Sequence, residues 1–147
     1  MMGEPVTPAE VVATARSYIG TRWHHQGRNR AGLDCAGLVV CVAHDLELSD
    51  FDSRDYGRLP NADEMRQVMR GQCAELPTAA LAPGVVALLR FEREPQHLAI
   101  VADYLHGGLS IVHALMQSRR VVEHRLDDLW HSRIVALYAL PGVEYAP

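Results

Sequence analysis

The sequence predicts an α+β fold in a single domain spanning residues 1–147, and three observations predict it. Apolar residues recur at helical spacing only in the N-terminal half, around Val11 and again around Leu38. Beyond Gly84 they gather instead into short runs rich in Val, Ile and Leu. Helices thus precede strands rather than alternate with them, which selects N-terminal helices packed on a five- to six-stranded antiparallel sheet over a parallel one.

The first helix is expected from Pro8 to Ile19. Thr7-Pro8-Ala9-Glu10 has the form of a capping box with Pro at the first helical position, and Gly20 supplies the stop. Thr21 to Leu33, with Gly27, Asn29 and Gly32 among Arg and His, has no apolar period and reads as a functional loop. Asp34 is placed to cap a second helix whose Leu38, Val39, Val42 and Leu46 share a face, so Cys35 falls in its first turn. Asn61 is placed to cap a third, Ala62 to Arg70. Five strands follow: Val85 to Phe91, His97 to Tyr104, Leu109 to Leu115, Arg120 to Leu126 and Ile134 to Leu140. Gly107-Gly108 is a tight hairpin turn between the second and third, and Asp127-Asp128 caps a short turn holding Leu129 and Trp130.

Composition excludes several classes of function. The net charge is −4 with no lysine and fourteen arginines, so no overall positive field exists to hold a polyanion, and nucleic acid is not an expected partner. No apolar run approaches the ~20 residues of a membrane span, so no membrane insertion is expected. Met1 to Glu10 has neither a basic nor an apolar leader segment, and the expectation is synthesis in the cytoplasm without a signal peptide. Cys35, Cys41 and Cys73 are odd in number and lack CxxC spacing, which suggests neither a disulfide framework nor a zinc ribbon. A metal site from His24, His25, Cys35 and His97 is disfavoured because adjacent His24 and His25 project in different directions; no metal or other cofactor is expected.

A thiol at a helix start lies among unpaired N–H groups that favour the thiolate, which makes Cys35 the candidate nucleophile; Cys41 and Cys73 read as structural. A nucleophile needs an oriented base. His97 opens an apolar strand, and pairing about the Gly107-Gly108 turn sets His113 opposite it, where its imidazole can hold the tautomer of the first.

Gly32-Leu33-Asp34-Cys35-Ala36-Gly37-Leu38-Val39 resembles the D-C-[SA]-G-L nucleophile motif of the NlpC/p60-type cysteine peptidases, cell-wall hydrolases of papain-like fold. Tyr18-Ile19-Gly20-Thr21, Leu81-Ala82-Pro83-Gly84, His97-Leu98-Ala99-Ile100-Val101 and Ile111-Val112-His113-Ala114 resemble further segments of that family, so the likeness covers about Ala9 to Ala139. It implies Cys35 as nucleophile, His97 as general base and then acid, His113 as orienting residue, and the Cys35 backbone N–H as an oxyanion donor. Trp23 stands where the family usually has Tyr, and Val85 where it usually has Asp. Trp23, Asp34, Ala36, Arg22 and His25 are assigned to the oxyanion and substrate side, and Arg22, Arg28 and Arg30 could hold substrate carboxylates.

The resemblance further implies a peptidoglycan stem peptide as substrate, cut between D-glutamate and the diamino acid. The compact form and the His24-His25-Gln26 loop resemble members carried by phage tails and gene-transfer agents. That implies tail-tip proteins as partners and a virion tail acting on the cell wall or in the periplasm as the location. Alternatives are a papain-like acyltransferase or amidase and a catalytically silent structural tail-tip protein.

Overall fold

The computed structural model describes residues 4–54, 64–91 and 94–145, excluding the side chains of residues 94–96. Helix α1 (Pro8–Arg16) carries the expected capping box: Thr7 Oγ1 accepts from the Glu10 N–H at 3.2 Å, and Glu10 Oε2 accepts from the Thr7 N–H at 2.8 Å. It ends three residues earlier than Ile19. Ser17 to Gly20 form turns instead, and Gly20, at φ +92, needs the freedom that only glycine has cheaply.

Within the expected loop lies a two-residue ladder, β1 (Arg28–Asn29) against β2 (Gly32–Leu33), too short for a periodic signal in the sequence. Helix α2 (Cys35–Asp45) starts at Cys35 with Asp34 as its N-cap, as the sequence indicates. Helix α3 (Glu64–Gln72) ends two residues later than expected, and both the expected start at Ala62 and the proposed Asn61 cap lie outside the described residues.

The sheet holds six strands in the order β3-β8-β4-β5-β6-β7, every neighbouring pair antiparallel. They are β3 (Ala74–Leu76), β4 (Val86–Phe91), β5 (Glu94–Asp103), β6 (Leu109–Leu115), β7 (Arg120–Arg125) and β8 (Ile134–Ala139). A short helix α4 (Asp128–Ser132), capped by Asp127, precedes β8. Strand β3 is the sixth; its three residues follow α3 almost directly and show no alternation in the sequence.

The two faces of the sheet have separate cores, as alternation demands. Leu98, Ile100, Val112 and Ala114 pack under α1, α2 and α3, while Ala99, Val101 and Ile111 face Trp130 and Ile134. Val85 is buried in the second core, so the position where a carboxylate was missed is filled by packing. Residues 20–23 hydrogen-bond to Arg119 and Val121, covering the open edge of β7, and Arg22 and His24 bond to Leu33 on the other side. This stretch ties the β7 edge to the residue two positions before Cys35.

Candidate active site

Asp34 builds the entrance to α2. Its Oδ1 accepts from the Gly37 N–H at 2.8 Å and from Arg28 Nη1 at 3.1 Å, and its Oδ2 accepts from the Gln26 N–H at 2.7 Å. One buried carboxylate thereby fixes the helix start, the preceding loop and the cation beneath them. Arg28 also bonds Asp52 at 2.8 Å, so it is consumed inside the protein and is not presented to a substrate as expected. Arg30 is likewise engaged: it donates to the Ser17 carbonyl at 2.9 Å and lies over the Tyr18 ring. Neither is poised to hold a carboxylate.

Cys35 is 8% exposed, with its thiol against the backbone N–H groups of Ala36 and Leu98, the latter being the residue after His97. Burial, then the charge of Asp34, pushes the thiol up to about 12, and the two N–H groups only partly oppose this. The expectation of a thiolate favoured at the helix start is therefore corrected: desolvation outweighs the helix end, and the resting sulfur keeps its proton.

His97 Nε2 lies 2.6 Å from His113 Nδ1, and both rings are buried. Their register differs slightly from the expected one. Ile100 pairs with Val112, so one step further on His113 lies across from residue 99, and the two imidazoles are diagonal neighbours on one face. Burial holds His97 down at about 3, with a smaller contribution from His124, and holds His113 down at about 2, with His97 and His124 adding to it. Both rings are neutral at rest.

His124 was missed in the sequence, where it sits among polar residues of β7. Ile111 pairs with His124, a diagonal step from His113, and the two rings meet with Nε2 atoms 2.8 Å apart. Trp130 closes the group, packing edge-on against His113 at 5.2 Å and beside His124 at 4.9 Å. Only the β6–β7 register could have revealed this, and the sequence does not specify it.

One cleft borders the contacts of the thiol, and a second lies between the loop before β1 and the β6–β7 connection. The first is apolar and is lined by Ala36, Val39, Met69, Cys73, Leu98 and Leu140, so it borders both residues whose N–H groups touch the sulfur. The other, about 700 Å³ and open, is lined by Gly20, Arg22, Trp23, Met116, Arg119 and Arg120. Trp23 and Arg22 therefore lie together as expected, joined by two arginines that the sequence reading did not single out. His25 is half-buried in the turn before β1, where its carbonyl meets His24 Nδ1 at 2.9 Å, and does not line this cleft. No group of three or more His, Cys, Asp or Glu side chains among the described residues is arranged to hold a metal ion.

No family model and no curated protein sequence matches the chain. Solved structures do. The NlpC/p60 domain of the peptidoglycan hydrolase SagA superposes with a TM-score of 0.64 at 18% identity, covering 91% of this chain and 99% of that one. The fold is that of the NlpC/p60 domains. An NlpC/p60 family protein from Bacillus cereus gives a TM-score of 0.70 at 15% identity over 94% of this chain, and the P60 domain of an M. avium subspecies paratuberculosis antigen gives 0.58 at 14% over 94%. This chain covers 96% of that P60 domain but only 41% of the B. cereus protein. At such identities the NlpC/p60 likeness is one of architecture, a papain-like α+β arrangement with a helix start facing a sheet, and the chemistry must be argued from the side chains.

Proposed function

We propose that the protein is a cysteine peptidase that hydrolyses an amide bond in the peptide stem of bacterial peptidoglycan. The observation that carries this reading is the meeting of a helix-start thiol with the strand residue following His97, while His97 is itself bonded to His113 at 2.6 Å. Because Nε2 of His97 is taken up by His113, Nδ1 is the nitrogen left to act as base. Sulfur and imidazole are both neutral at rest, so the proton moves as the thiol attacks the carbonyl. Cys35 then forms an acyl-enzyme, the Cys35 N–H stabilises the oxyanion, and His97 protonates the leaving amine before activating water.

The substrate class draws support from the cleft beside Trp23, whose three arginines suit the carboxylates of a stem peptide. The bond between D-glutamate and the diamino acid rests on the motif resemblance, and a setting on a phage or gene-transfer-agent tail that opens the wall during DNA entry rests on the likeness of the His24-His25-Gln26 loop. Detection of the protein in purified particles tests that setting.

Purified peptidoglycan digested by wild type and by Cys35→Ala, with fragments weighed by mass spectrometry, tests the activity. Release of stem fragments by wild type alone supports the thiol mechanism, and the masses name the bond. Capture of the acyl group by an added amine in place of water would point to acyl transfer, and no release by either protein would favour a silent structural role.

A further inference from the structure

Three imidazoles stand in a row that ends on a backbone carbonyl. His97 Nε2 faces His113 Nδ1 at 2.6 Å, His113 Nε2 faces His124 Nε2 at 2.8 Å, and His124 Nδ1 faces the Arg125 carbonyl at 2.9 Å. A carbonyl only accepts, so Nδ1 of His124 carries a proton. With His124 neutral, its Nε2 is a bare acceptor and His113 donates to it from Nε2. His113 Nδ1 is then bare, and His97 donates to it from Nε2. The remaining nitrogen, His97 Nδ1, is left without a proton, as a base that is to act on a thiol requires. One carbonyl on β7 thus dictates three tautomers.

We propose that this row is a proton relay in which His124 holds the positive charge that balances the Cys35 thiolate. It rests on the thiol-peptidase reading. The S–H bond breaks as Nδ1–H forms on His97; the Nε2 proton of His97 passes to Nδ1 of His113, and the Nε2 proton of His113 passes to Nε2 of His124. His97 and His113 each gain one proton and lose one, and His124 gains one. Running the row backwards delivers a proton to the leaving amine.

The placement of the charge follows from solvation. His97 and His113 are 5% and 0% exposed, and an imidazolium there would lose its water shell with no carboxylate to replace it. His124 is half-buried, so an imidazolium there keeps part of its water shell. The groups around it are His113 from β6, Trp130 with Arg133 over its ring from α4 and the residue after it, and Arg125 on its own strand. Glu123 points away to Arg16 and Ser110, and no carboxylate bonds His124 among the described residues.

The same arrangement makes the site self-limiting. A proton taken by His124 from solvent reverses every hydrogen bond in the row and leaves Nδ1 of His97 protonated, so the base is filled before substrate arrives.

Ring-nitrogen NMR on the uniformly labelled full chain reads each tautomer without any substrate. In wild type at neutral pH, His97 and His113 are expected with the proton on Nε2 and His124 with it on Nδ1; on acidification, both buried rings switch to Nδ1–H in step with double protonation of His124. His124→Gln keeps an acceptor for His113 but cannot take the proton. It is expected to hold the neutral-pH tautomers of His97 and His113 on acidification, with kcat on a stem peptide at least about tenfold lower and KM unchanged. A proton on Nδ1 of His97 at neutral pH in wild type, or full kcat in His124→Gln, would overturn the relay. If His124→Gln fails to fold, the wild-type titration decides. If wild type cleaves no peptidoglycan, the peptidase reading fails while the tautomers still report on the row.

Discussion

Arg28 and Asp34 meet at 3.1 Å beneath the first turn of α2, with side chains only 9% and 5% exposed. The pair is shielded from water, so the exposed-pair rule of a few tenths of a kcal/mol does not govern it. Removing Asp34 leaves Arg28 with Asp52 at 2.8 Å, so the loss stays under the about 3–5 kcal/mol of a fully stranded buried charge. Asp34→Ala is expected to lose about 2–3 kcal/mol of stability in urea unfolding, including about 1 kcal/mol for the lost cap. A loss below about 1 kcal/mol would show that water reaches Arg28.

The charge on Asp34 also acts on its neighbour. It is the second cause, after burial, of the raised pKa of Cys35. Asp34→Asn keeps an acceptor for the Gly37 N–H and removes the charge, so the Cys35 midpoint moves down from about 12. Alkylation of Cys35 at mildly alkaline pH is then faster than in wild type, compared with Cys41→Ala, Cys73→Ala backgrounds so that one thiol reports. An unchanged rate would mean that access, not ionisation, limits the thiol.

The buried imidazoles set an acid limit on stability. In the unfolded chain a histidine titrates near about 6.5, whereas His97 and His113 are pushed down to about 3 and about 2 by burial. Below about pH 6.5 the unfolded state binds protons that the native rings refuse, so stability present above that pH is lost as pH falls. The slope is up to about 1.4 kcal/mol per pH unit for each ring. Over two units both rings cost up to about 5 kcal/mol, comparable to the whole stability of a small domain. Urea midpoints measured from neutral to acid pH should fall steeply, and His113→Asn should fall about half as steeply.

Elements that carry their own local signal were legible in the sequence. Thr7, Asp34 and Asp127 each cap the helix they were expected to cap, and Leu109–Leu115 has the bounds that its apolar run indicates. What escaped depends on register and burial. His124 joins His113 only because Ile111 pairs with it across β6 and β7, and Arg28, which looks like a substrate contact in a loop, turns inward to meet Asp34 and Asp52. Hydrophobic pattern specifies which face a residue takes but not its diagonal neighbour, and a long cationic side chain can be drawn inward by carboxylates distant in sequence.

Arg22 and Arg120 sit across an antiparallel bridge, where like charges are unfavourable, and Arg119 adds a third. None of these guanidinium groups has a hydrogen-bond or ion-pair partner among the described residues. An anion between them relieves the repulsion. Arg119→Gln and Arg120→Gln should each raise KM for a stem peptide with free carboxylates about two- to fivefold, as expected for exposed pairs, and leave its amidated counterpart unaffected. Equal effects on both peptides would remove the arginines from substrate recognition.

Gly37 shows why the nucleophile motif carries glycine two residues after the cysteine. A Cβ there would run into the Gly27 carbonyl and press on Arg28 Nη1 at 3.1 Å and Asp34 Oδ1 at 3.2 Å. The closest obstacle is backbone, which cannot rotate aside, and the other two are the buried pair that caps α2. Gly37→Ala gains about 1 kcal/mol of helix propensity, yet the clash forces the loop at Gly27 off the helix and opens the Arg28–Asp34 contact. We expect a net loss of about 1–3 kcal/mol, accompanied by faster hydrogen exchange at the Gln26 N–H, which Asp34 holds at 2.7 Å. Gly71, where an added Cβ meets nothing within 4 Å, serves as the control: Gly71→Ala in the last turn of α3 should gain stability from propensity alone. If both substitutions stabilise, the loop at Gly27 yields freely, and the close approach of loop to helix is not what holds Cys35 in place.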